Sequence, residues 1–590
     1  MTEAMGRARN ARVMQNVAVP MRDGVPLMTT VLLPLAPATS GYPAVLVRTA
    51  YGRAGFGPGE FTERGLALVV QDCRGRYGSG GDYVPFVNET RDGEDTLAWL
   101  AAQPWCNGRI GMFGDSYLAA TQFAVGASGV PALCALNPRF MAGDIWQHAY
   151  YCDGAFSLGL TWSWLCFEVS ARTSNAASMS LFDVGRLLRE LPLRELDVKS
   201  GFGEVPAYRD YVAHDRRDAF WRALSVREKL PLFTAPTLLT AGWYDYYAGE
   251  TFANYAALLR TNDAALAGSH RVLVGPWTHG VNPTSRLGHV DFGPQALAEN
   301  DATVRWLDGL LKGGRAETFQ KAPIRLFVMG ANAWRDEHEW PLARTRFTRF
   351  YLHSQGRANS LLGDGALATE PPGSGVPDQF TYDPESPVPT LGGNHSIGPY
   401  NPGLYELAPP GPFDQRPIER RDDVLVYTTP PLPEDTEVTG PIELHLFAAS
   451  SAPDTDFVGR LTDVFPDGRS INLTEGVIRA RFRERCWDQP RLMQPGIVYE
   501  FVINLQATSN VFEAGHRICL DVTSSSFPLW DRNLNTGEPG ATATRWQVAR
   551  QTIYHDRERQ SHLLLPVIPP MREGRHDQAE AWPQPATPKA

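Results

Sequence analysis

Gly111-Met-Phe-Gly-Asp-Ser-Tyr-Leu-Ala-Ala120 joins a short apolar run to a helix-compatible stretch through a sharp turn at Ser116. The run Ile110–Phe113 predicts a β-strand, and the stretch from Leu118 predicts a helix. A serine at such a strand-to-helix turn has a strained backbone and an exposed Oγ. The segment therefore predicts a nucleophilic serine at the edge of an α/β sheet.

The turn matches the pattern G-x-S-x-G only in part. Gly114 fills its first position, whereas Leu118 stands at the last, with the small Ala119 one place later. The backbone N–H of Tyr117, at the start of the helix, is placed to donate to an oxyanion. The alternative is that Ser116 is an ordinary helix N-cap.

The regions around this turn predict a parallel sheet covered by helices on both faces. Tyr42–Val47 and Gly65–Gln71 are apolar runs of strand length, and Arg91–Ala102 has helical periodicity. Further strands are predicted at Thr237–Thr240 and Arg271–Val274. Alternating apolar strands and amphipathic helices are typical of α/β folds.

Changes in pattern predict three units. Residues 1–145 and 230–345 are predicted to form an α/β domain with a parallel sheet, and 146–229 a helical cap without strands, inserted above the carboxyl ends of the strands. Short alternating strands over 346–590 predict a β-sandwich or jelly roll. About the last 20 residues are expected to form a loose tail.

A serine nucleophile needs a base and an acid that orients the base. In this fold their expected chain order is Ser, then Asp or Glu, then His, each in a loop after a strand. Asp245 follows the strand Thr237–Thr240, and His279 follows Arg271–Val274. Singly, each could be a helix cap or a loop residue, but the ordered set predicts a catalytic triad.

Tyr51 is a candidate second oxyanion donor. It follows the strand Tyr42–Val47 in the loop RTAYGR, where its hydroxyl could face the serine. The alternative is a surface tyrosine in a glycine-containing loop.

Composition excludes several classes of protein. The 590 residues carry a formal net charge of −10, which disfavours a nucleic-acid binder. We find no secretory signal, no stretch long and apolar enough to span a membrane, and no CxxC pair among the seven cysteines. The sequence predicts a cytoplasmic protein that acts on a small molecule without metal or cofactor, and a homo-oligomer stays compatible with it.

Two acidic groups are assigned structural roles. Asp336-Glu-His-Glu339 is interpreted as helical, so that its side chains point to different faces. Asp454, Asp456, Asp463 and Asp467 are interpreted as turn residues rather than calcium ligands.

Beyond the triad, the chain resembles the family of cocaine esterase, X-Pro dipeptidyl-peptidase and α-amino-acid ester hydrolase over most of its length. The matching stretches are RTAYGR at 48–53, DCRGRYGSGG at 72–81, GDSYLA at 114–119, GWYD at 242–245, GPWTHG at 275–280, APDTDF at 452–457 and DRNLNTG at 531–537. The resemblance implies an α/β-hydrolase domain, an inserted helical cap and a C-terminal jelly roll. Its own turn reads G-x-S-Y-x-G, which leaves Ala119 as the one irregular position.

The resemblance also implies roles for particular residues. Ser116 would be the nucleophile, His279 the base and Asp245 its orienting acid. Tyr51 and the Tyr117 amide would form the oxyanion hole.

Substrate preference is less determined. α-Amino-acid ester hydrolases bind the substrate ammonium through a carboxylate pair just after the catalytic Asp, where this chain has Tyr247 and Ala248, and the run GWYDYYAGE looks closer to cocaine esterase. Trp162, Trp164 and Tyr247 are candidates for the substrate pocket, with packing inside the cap as the alternative for the tryptophans. The predicted reaction is ester hydrolysis. The alternatives are amide hydrolysis, as by an X-Pro dipeptidyl-peptidase or a β-lactam side-chain acylase, or a carbohydrate-binding jelly roll with an inert hydrolase domain.

Overall fold

The computed structural model describes residues 5–8, 10–57, 59–314 and 322–569. The tail predicted at the C-terminus lies outside these residues. Within the described residues, no helix has the length and apolar character needed to cross a bilayer.

Twenty-six strands are described, and two large sheets contain most of them. They are β1 (Met5–Ala8), β2 (Ala11–Pro20), β3 (Pro26–Pro34), β4 (Tyr42–Thr49), β5 (Ala67–Asp72), β6 (Cys106–Asp115), β7 (Leu133–Arg139), β8 (Tyr151–Cys152), β9 (Ala155–Phe156), β10 (Leu238–Gly242), β11 (Arg271–Gly275), β12 (Arg286–Leu287), β13 (Val290–Asp291), β14 (Ile324–Val328), β15 (Ala333–Glu337), β16 (Arg346–His353), β17 (Ala366–Ala368), β18 (Asp378–Tyr382), β19 (Leu425–Thr428), β20 (Thr436–Ser450), β21 (Asp456–Val464), β22 (Ser470–Arg479), β23 (Tyr499–Phe512), β24 (Arg517–Thr523), β25 (Ala549–Tyr554) and β26 (His562–Ile568).

The α-helices are short, apart from α2, α3, α9 and α11, which pack near the first sheet. They are α1 (Gly59–Glu63), α2 (Glu89–Ala101), α3 (Tyr117–Val125), α4 (Leu158–Trp162), α5 (Val184–Leu187), α6 (Leu196–Lys199), α7 (Pro206–Ala213), α8 (Ala219–Leu224), α9 (Ala248–Leu258), α10 (Ala264–Ala267), α11 (Ala302–Leu311), α12 (Leu404–Leu407) and α13 (Arg416–Glu419).

The first sheet has the order β1-β2-β3-β5-β4-β6-β7-β10-β11-β14-β15. Its strands from β5 to β14 run parallel, and antiparallel strands close both edges. Fully buried runs such as Ala67–Asp72 show why the parallel strands are continuously apolar. The α/β-hydrolase fold expected from the sequence is confirmed, and the carboxyl ends of β4, β6, β10 and β11 lie along one edge.

The cap contains α4 to α8 and a π-helical turn at Ser163–Glu168 that continues α4. The prediction that the cap holds no strand is wrong in one detail, because β8 and β9, of two residues each, pair as an antiparallel hairpin. The cap contacts the C-terminal domain closely: the Phe156 N–H donates to Asp531 Oδ1 at 2.8 Å, and the Gly159 N–H donates to the Pro528 carbonyl at 3.0 Å.

The C-terminal domain is a jelly-roll sandwich whose sheet has the order β18-β25-β20-β26-β16-β17-β19-β24-β21-β22, with β23 paired to β20. Two interpretations from the sequence are wrong here. Asp336 and Glu337 lie in strand β15, not in a helix. Asp456 and Asp463 lie buried in β21, not in turns. Asp456 pairs with Arg479 at 2.9 Å, because strand pairing places this buried arginine directly opposite, and Asp463 pairs with His516 at 2.8 Å.

The two large sheets divide the chain between Glu337 and Arg346. β15 is the last strand of the first sheet, and β16 is the first of the second. We propose the limits 1–145 and 230–345, 146–229 and 346–590 on this basis. One continuous cluster of buried apolar side chains includes Leu46, Trp162 and Leu444, one from each unit.

Candidate active site

Ser116 lies at the turn between β6 and α3, in a conformation that an ordinary side chain rarely adopts. Its φ is 58° and its ψ is −122°, and its side chain does not cap the helix. Gly114 has a φ of 148°, and a Cβ there would lie 2.4 Å from the Leu118 Cβ. Only glycine therefore permits this close approach of strand and helix, and the observed backbone strain argues against an ordinary N-cap.

The Tyr117 side chain anchors the turn through hydrogen bonds of its hydroxyl. Its hydroxyl donates to Glu89 Oε1 at 2.7 Å and accepts from the Phe86 N–H at 3.1 Å. Glu89 in turn pairs with the fully buried Arg48 at 2.6 Å. This anchoring holds the first residue of α3 in place, where the backbone N–H groups have no intrahelical partner and point at the turn.

Adjacent parallel strands bring the loops of Asp245 and His279 together. β10 and β11 pair in register up to Gly242 and Gly275. The pairing continues into the loops, since the Tyr244 N–H donates to the Trp277 carbonyl at 2.9 Å. A Cβ on Gly242 would lie 2.1 Å from that same carbonyl oxygen, so the contact requires glycine.

His279 and Asp245 form a buried hydrogen-bonded pair. The imidazole Nδ1 lies 3.0 Å from Asp245 Oδ1, and Asp245 is fully buried. Burial disfavours the protonated imidazole, but the Asp245 charge and hydrogen bond outweigh it and raise the pKa of His279. Burial raises the pKa of Asp245, and His279 offsets only part of that rise.

A chain of contacts links Ser116 to His279. The Ser116 N–H donates to the Arg139 carbonyl at 3.0 Å. The next residue, Phe140, lies with its ring centroid 6.0 Å from that of His279. Asp115, adjacent to the serine, also contributes to the raised pKa of His279.

Tyr51 follows β4 and contacts the cap. Its hydroxyl accepts from the Trp164 indole N–H at 3.0 Å, and the Ser116 side chain is among the groups that lower its pKa. Burial, reinforced by the Glu168 charge, raises the pKa of Tyr51, so the phenol keeps its proton. The hydroxyl can therefore act as a donor to an oxyanion.

Comparisons with known proteins show the family of this chain. A model of the X-Pro dipeptidyl-peptidase (S15 family) matches residues 23–281, and a model of the X-Pro dipeptidyl-peptidase C-terminal non-catalytic domain matches 318–564. The chain is 39% identical over 588 residues to cocaine esterase from Rhodococcus sp., covering 95% of this chain and 99% of that protein. The chain belongs to the S15 family. It is a serine hydrolase of that family.

Solved structures of two relatives share the complete architecture of this S15-family hydrolase. One is an aminopeptidase from the marine sediment archaeon Thaumarchaeota archaeon, with 25% identity, a TM-score of 0.82 and coverage of 96% and 99% of the two chains. The other is an α-amino-acid ester hydrolase, with 26% identity, a TM-score of 0.81 and the same coverage.

The three candidate pocket residues occupy different places in this hydrolase. Trp164 contacts Tyr51, and the Tyr247 ring lies 5.6 Å from the His279 ring. Trp162 is fully buried, packs on Phe167 and donates to Ser200 Oγ at 2.9 Å. Its observed contacts lie within the cap, so the structure brings only Trp164 and Tyr247 to the site.

Sequence reasoning missed Glu168, the last residue of the π-helical turn. Its Oε1 accepts from Asn401 Nδ2 at 2.8 Å, and its charge acts on both His279 and Tyr51. The only signal in the sequence is an isolated acid in the apolar run WSWLCFEV. π-helical turns occur frequently at functional sites.

One group of side chains among the described residues could in principle hold a metal ion. Ligand atoms of Glu419, Cys519 and Asp521 lie within 4.8 Å of one another in the jelly roll. Burial raises the pKa of Glu419 to about 8 and that of Asp521 to about 7, and the Arg460 guanidinium lies 3.6 Å from Asp521. Protonated carboxyls beside an arginine account for the cluster, and we assign no ion to it.

Proposed function

We propose that this S15-family member hydrolyses carboxylic esters through an acyl-enzyme formed on Ser116. Its 39% identity to cocaine esterase over nearly the whole of both chains favours ester over amide substrates. The substrate is a small molecule that enters between the cap and the edge of the first sheet, close to Trp164 and Tyr247.

In the proposed mechanism, His279 takes the proton of the Ser116 hydroxyl as the oxygen attacks the ester carbonyl. Asp245 holds the imidazole in the required tautomer and stabilises its protonated form. The Tyr51 hydroxyl and the Tyr117 N–H donate to the tetrahedral oxyanion. His279 then protonates the leaving alcohol, and water activated by the same imidazole releases the acid and restores Ser116.

The observation that carries the proposal is the hydrogen bond of 3.0 Å between His279 Nδ1 and the fully buried Asp245. It leaves the second imidazole nitrogen for the serine side of the site. The strained φ of 58° at Ser116, beside the Tyr51 hydroxyl, provides a matching nucleophile.

Ser116→Ala is expected to abolish turnover of a p-nitrophenyl ester and labelling by a fluorophosphonate. Ser180→Ala, on the exposed surface of the cap, is the matched control and should retain both. Circular dichroism and the melting temperature would show that both variants are folded. Turnover of the ester by Ser116→Ala at the wild-type rate would refute the assignment.

Amide hydrolysis is the competing activity, since the family description and one structural relative name peptidases. A panel of p-nitrophenyl esters, Xaa-Pro anilides and acyl anilides would compare the reactions on one purified protein. We expect kcat/KM for the esters to exceed that for both amide classes. A higher kcat/KM for an Xaa-Pro anilide would replace the ester proposal by a peptidase.

A further inference from the structure

Glu168 reaches the site from the cap, on the same helical segment as Trp164. Trp164 contacts the Tyr51 hydroxyl, and Glu168 follows it four residues later, at the end of the π-helical turn. Residues with this spacing share one face of a helix. Glu168 is partly exposed although the residues on both sides of it, Phe167 and Val169, are buried.

The Glu168 carboxylate is held by an amide, not by a cation. Asn401, from the C-terminal domain, donates to Oε1 at 2.8 Å and is itself 2% exposed. No ion pair of Glu168 is found among the described residues. The neighbouring guanidinium, Arg76, donates instead to the backbone carbonyls of Ala50 at 2.8 Å and of Glu168 and Val169 at 2.7 and 3.1 Å.

Aromatic rings surround Trp164, four residues before this acid. Trp164 packs against Phe86, Tyr117 and Tyr150, each with ring centroids 5.9 Å apart. Tyr400, the residue before Asn401, is 47% exposed and interacts electrostatically with Glu168. A carboxylate beside aromatic rings is the combination that recognises substituted ammonium groups.

We propose that Glu168 is a binding subsite for a cationic amine carried by the ester substrate. The inference rests on the proposed ester hydrolysis at Ser116, because Glu168 acts on the same His279 and Tyr51.

The test uses two pairs of substrates with a permanent charge. One pair is a thiocholine ester and its 3,3-dimethylbutyl isostere. The other is the aryl ester of a trimethylammonio-alkanoic acid and that of its tert-butyl isostere. In each pair carbon replaces the charged nitrogen, so the ratio of kcat/KM values measures recognition of charge alone.

In wild type we expect the cationic member of at least one pair to be preferred. Glu168→Gln should lower that preference about tenfold, mainly through KM, and Glu168→Asp should retain part of it. Glu204→Gln is the matched control, because it makes the same change in a cap side chain that is 74% exposed, and its ratio should equal that of wild type. An unchanged ratio in Glu168→Gln for both pairs would overturn the inference.

The pH dependence gives a second readout. Burial raises the pKa of Glu168 to about 7, against opposing contributions from Asn401, His279 and Arg76. The cation-to-neutral ratio should therefore rise with pH through about 7 in wild type and stay flat in Glu168→Gln. Glu168 also interacts with His279, Arg76, Tyr51 and Tyr400. Both substrates of a pair encounter these same four side chains.

The outcomes separate this inference from the proposed function. Loss of neutral-ester turnover in Ser116→Ala, with an unchanged ratio in Glu168→Gln, would leave the proposed function standing and remove the subsite. If wild type turned over neither member of either pair, titration calorimetry with phenyltrimethylammonium would decide. Equal affinity of wild type and Glu168→Gln for this ion would then overturn the inference.

Discussion

Two of the carboxylates that act on the imidazole of His279 are held in opposite ways. Asp245 comes from the sheet, is fully buried and is hydrogen-bonded to Nδ1 at 3.0 Å. Glu168 comes from the cap, is partly exposed and is bound by the amide of Asn401 at 2.8 Å. The first forms an ion pair with the imidazole once the imidazole is protonated, whereas no ion pair of the second is found among the described residues.

This difference shows that the carboxylate that orients the base and the carboxylate proposed to bind the substrate are positioned by different parts of the molecule. The position of Asp245 follows from the register of β10 and β11. The position of Glu168 depends on a short π-helical turn and on a contact with the C-terminal domain. In the proposed function, the reacting groups therefore come from loops at the edge of the sheet, and the proposed recognition residue Glu168 comes from the cap.

Asp245→Asn should show the largest effect on this comparison. The amide removes the charge that stabilises the protonated imidazole and favours the wrong tautomer, so kcat for a neutral aryl ester should fall by about 10³ to 10⁴. On the same ester, Glu168→Gln should lower kcat far less than Asp245→Asn does. Steady-state kinetics with active-site titration would measure both losses. Equal losses in the two variants would contradict the distinction between the orienting and the binding carboxylate.

A smaller effect is expected from the hydrogen bond between Trp164 and Tyr51. Tyr51→Phe removes an oxyanion donor and should lower kcat by about 10² to 10³. Trp164→Phe removes only the N–H that positions this hydroxyl, and kcat should fall about tenfold with a smaller change in KM. In the double variant the two losses should not add, because both act through the Tyr51 hydroxyl.

Trp162→Phe is the matched control for this double-mutant cycle of Trp164 and Tyr51. Trp162 lies two residues away, and its indole N–H donates to Ser200 inside the cap. Its substitution should lower the melting temperature without coupling to Tyr51→Phe in kcat. Additive losses in the Trp164 and Tyr51 cycle would show that Trp164 serves packing alone.

The sequence predicted those parts of the site that depend on chain order and strand ends. Ser116, Asp245 and His279 each follow an apolar run, and the carboxyl ends of parallel strands necessarily share one edge of a sheet. Gly114 could be predicted from the turn pattern, whereas the close approach at Gly242 was found only in the structure.

The parts that depend on packing between domains could not be predicted. Asn401 contacts Glu168 across 233 positions of the chain, and neither residue belongs to a recognisable motif. The two tryptophans of the cap show the same limit. Residues two apart on a helical segment point to different sides, so only one of Trp162 and Trp164 could face Tyr51, and their spacing did not say which.

The smallest predicted effect is on the pH dependence of stability. It concerns Glu419, a buried carboxyl in the jelly roll, outside the candidate active site. Both of its carboxyl oxygens are buried without a hydrogen-bond partner within the described part of the chain. Burial and the neighbouring Asp521 raise its pKa from 4.5 to about 8, against the opposing charge of Arg460. The folded state keeps this proton longer than the unfolded chain does, so stability falls as pH rises from about 4.5 to about 8.

Glu419→Gln cannot ionise and should narrow the difference in melting temperature between pH 5 and pH 8 by a few degrees, equivalent to about 2 kcal/mol. Part of the difference should persist, because burial also raises the pKa of Asp521 to about 7. Glu434→Gln, on an exposed side chain, is the matched control and should leave the difference unchanged. Differential scanning fluorimetry at both pH values would measure this difference in melting temperature. An unaltered difference in Glu419→Gln would mean that Glu419 is ionised in the fold and stabilised by Arg460, as Asp245 is by His279.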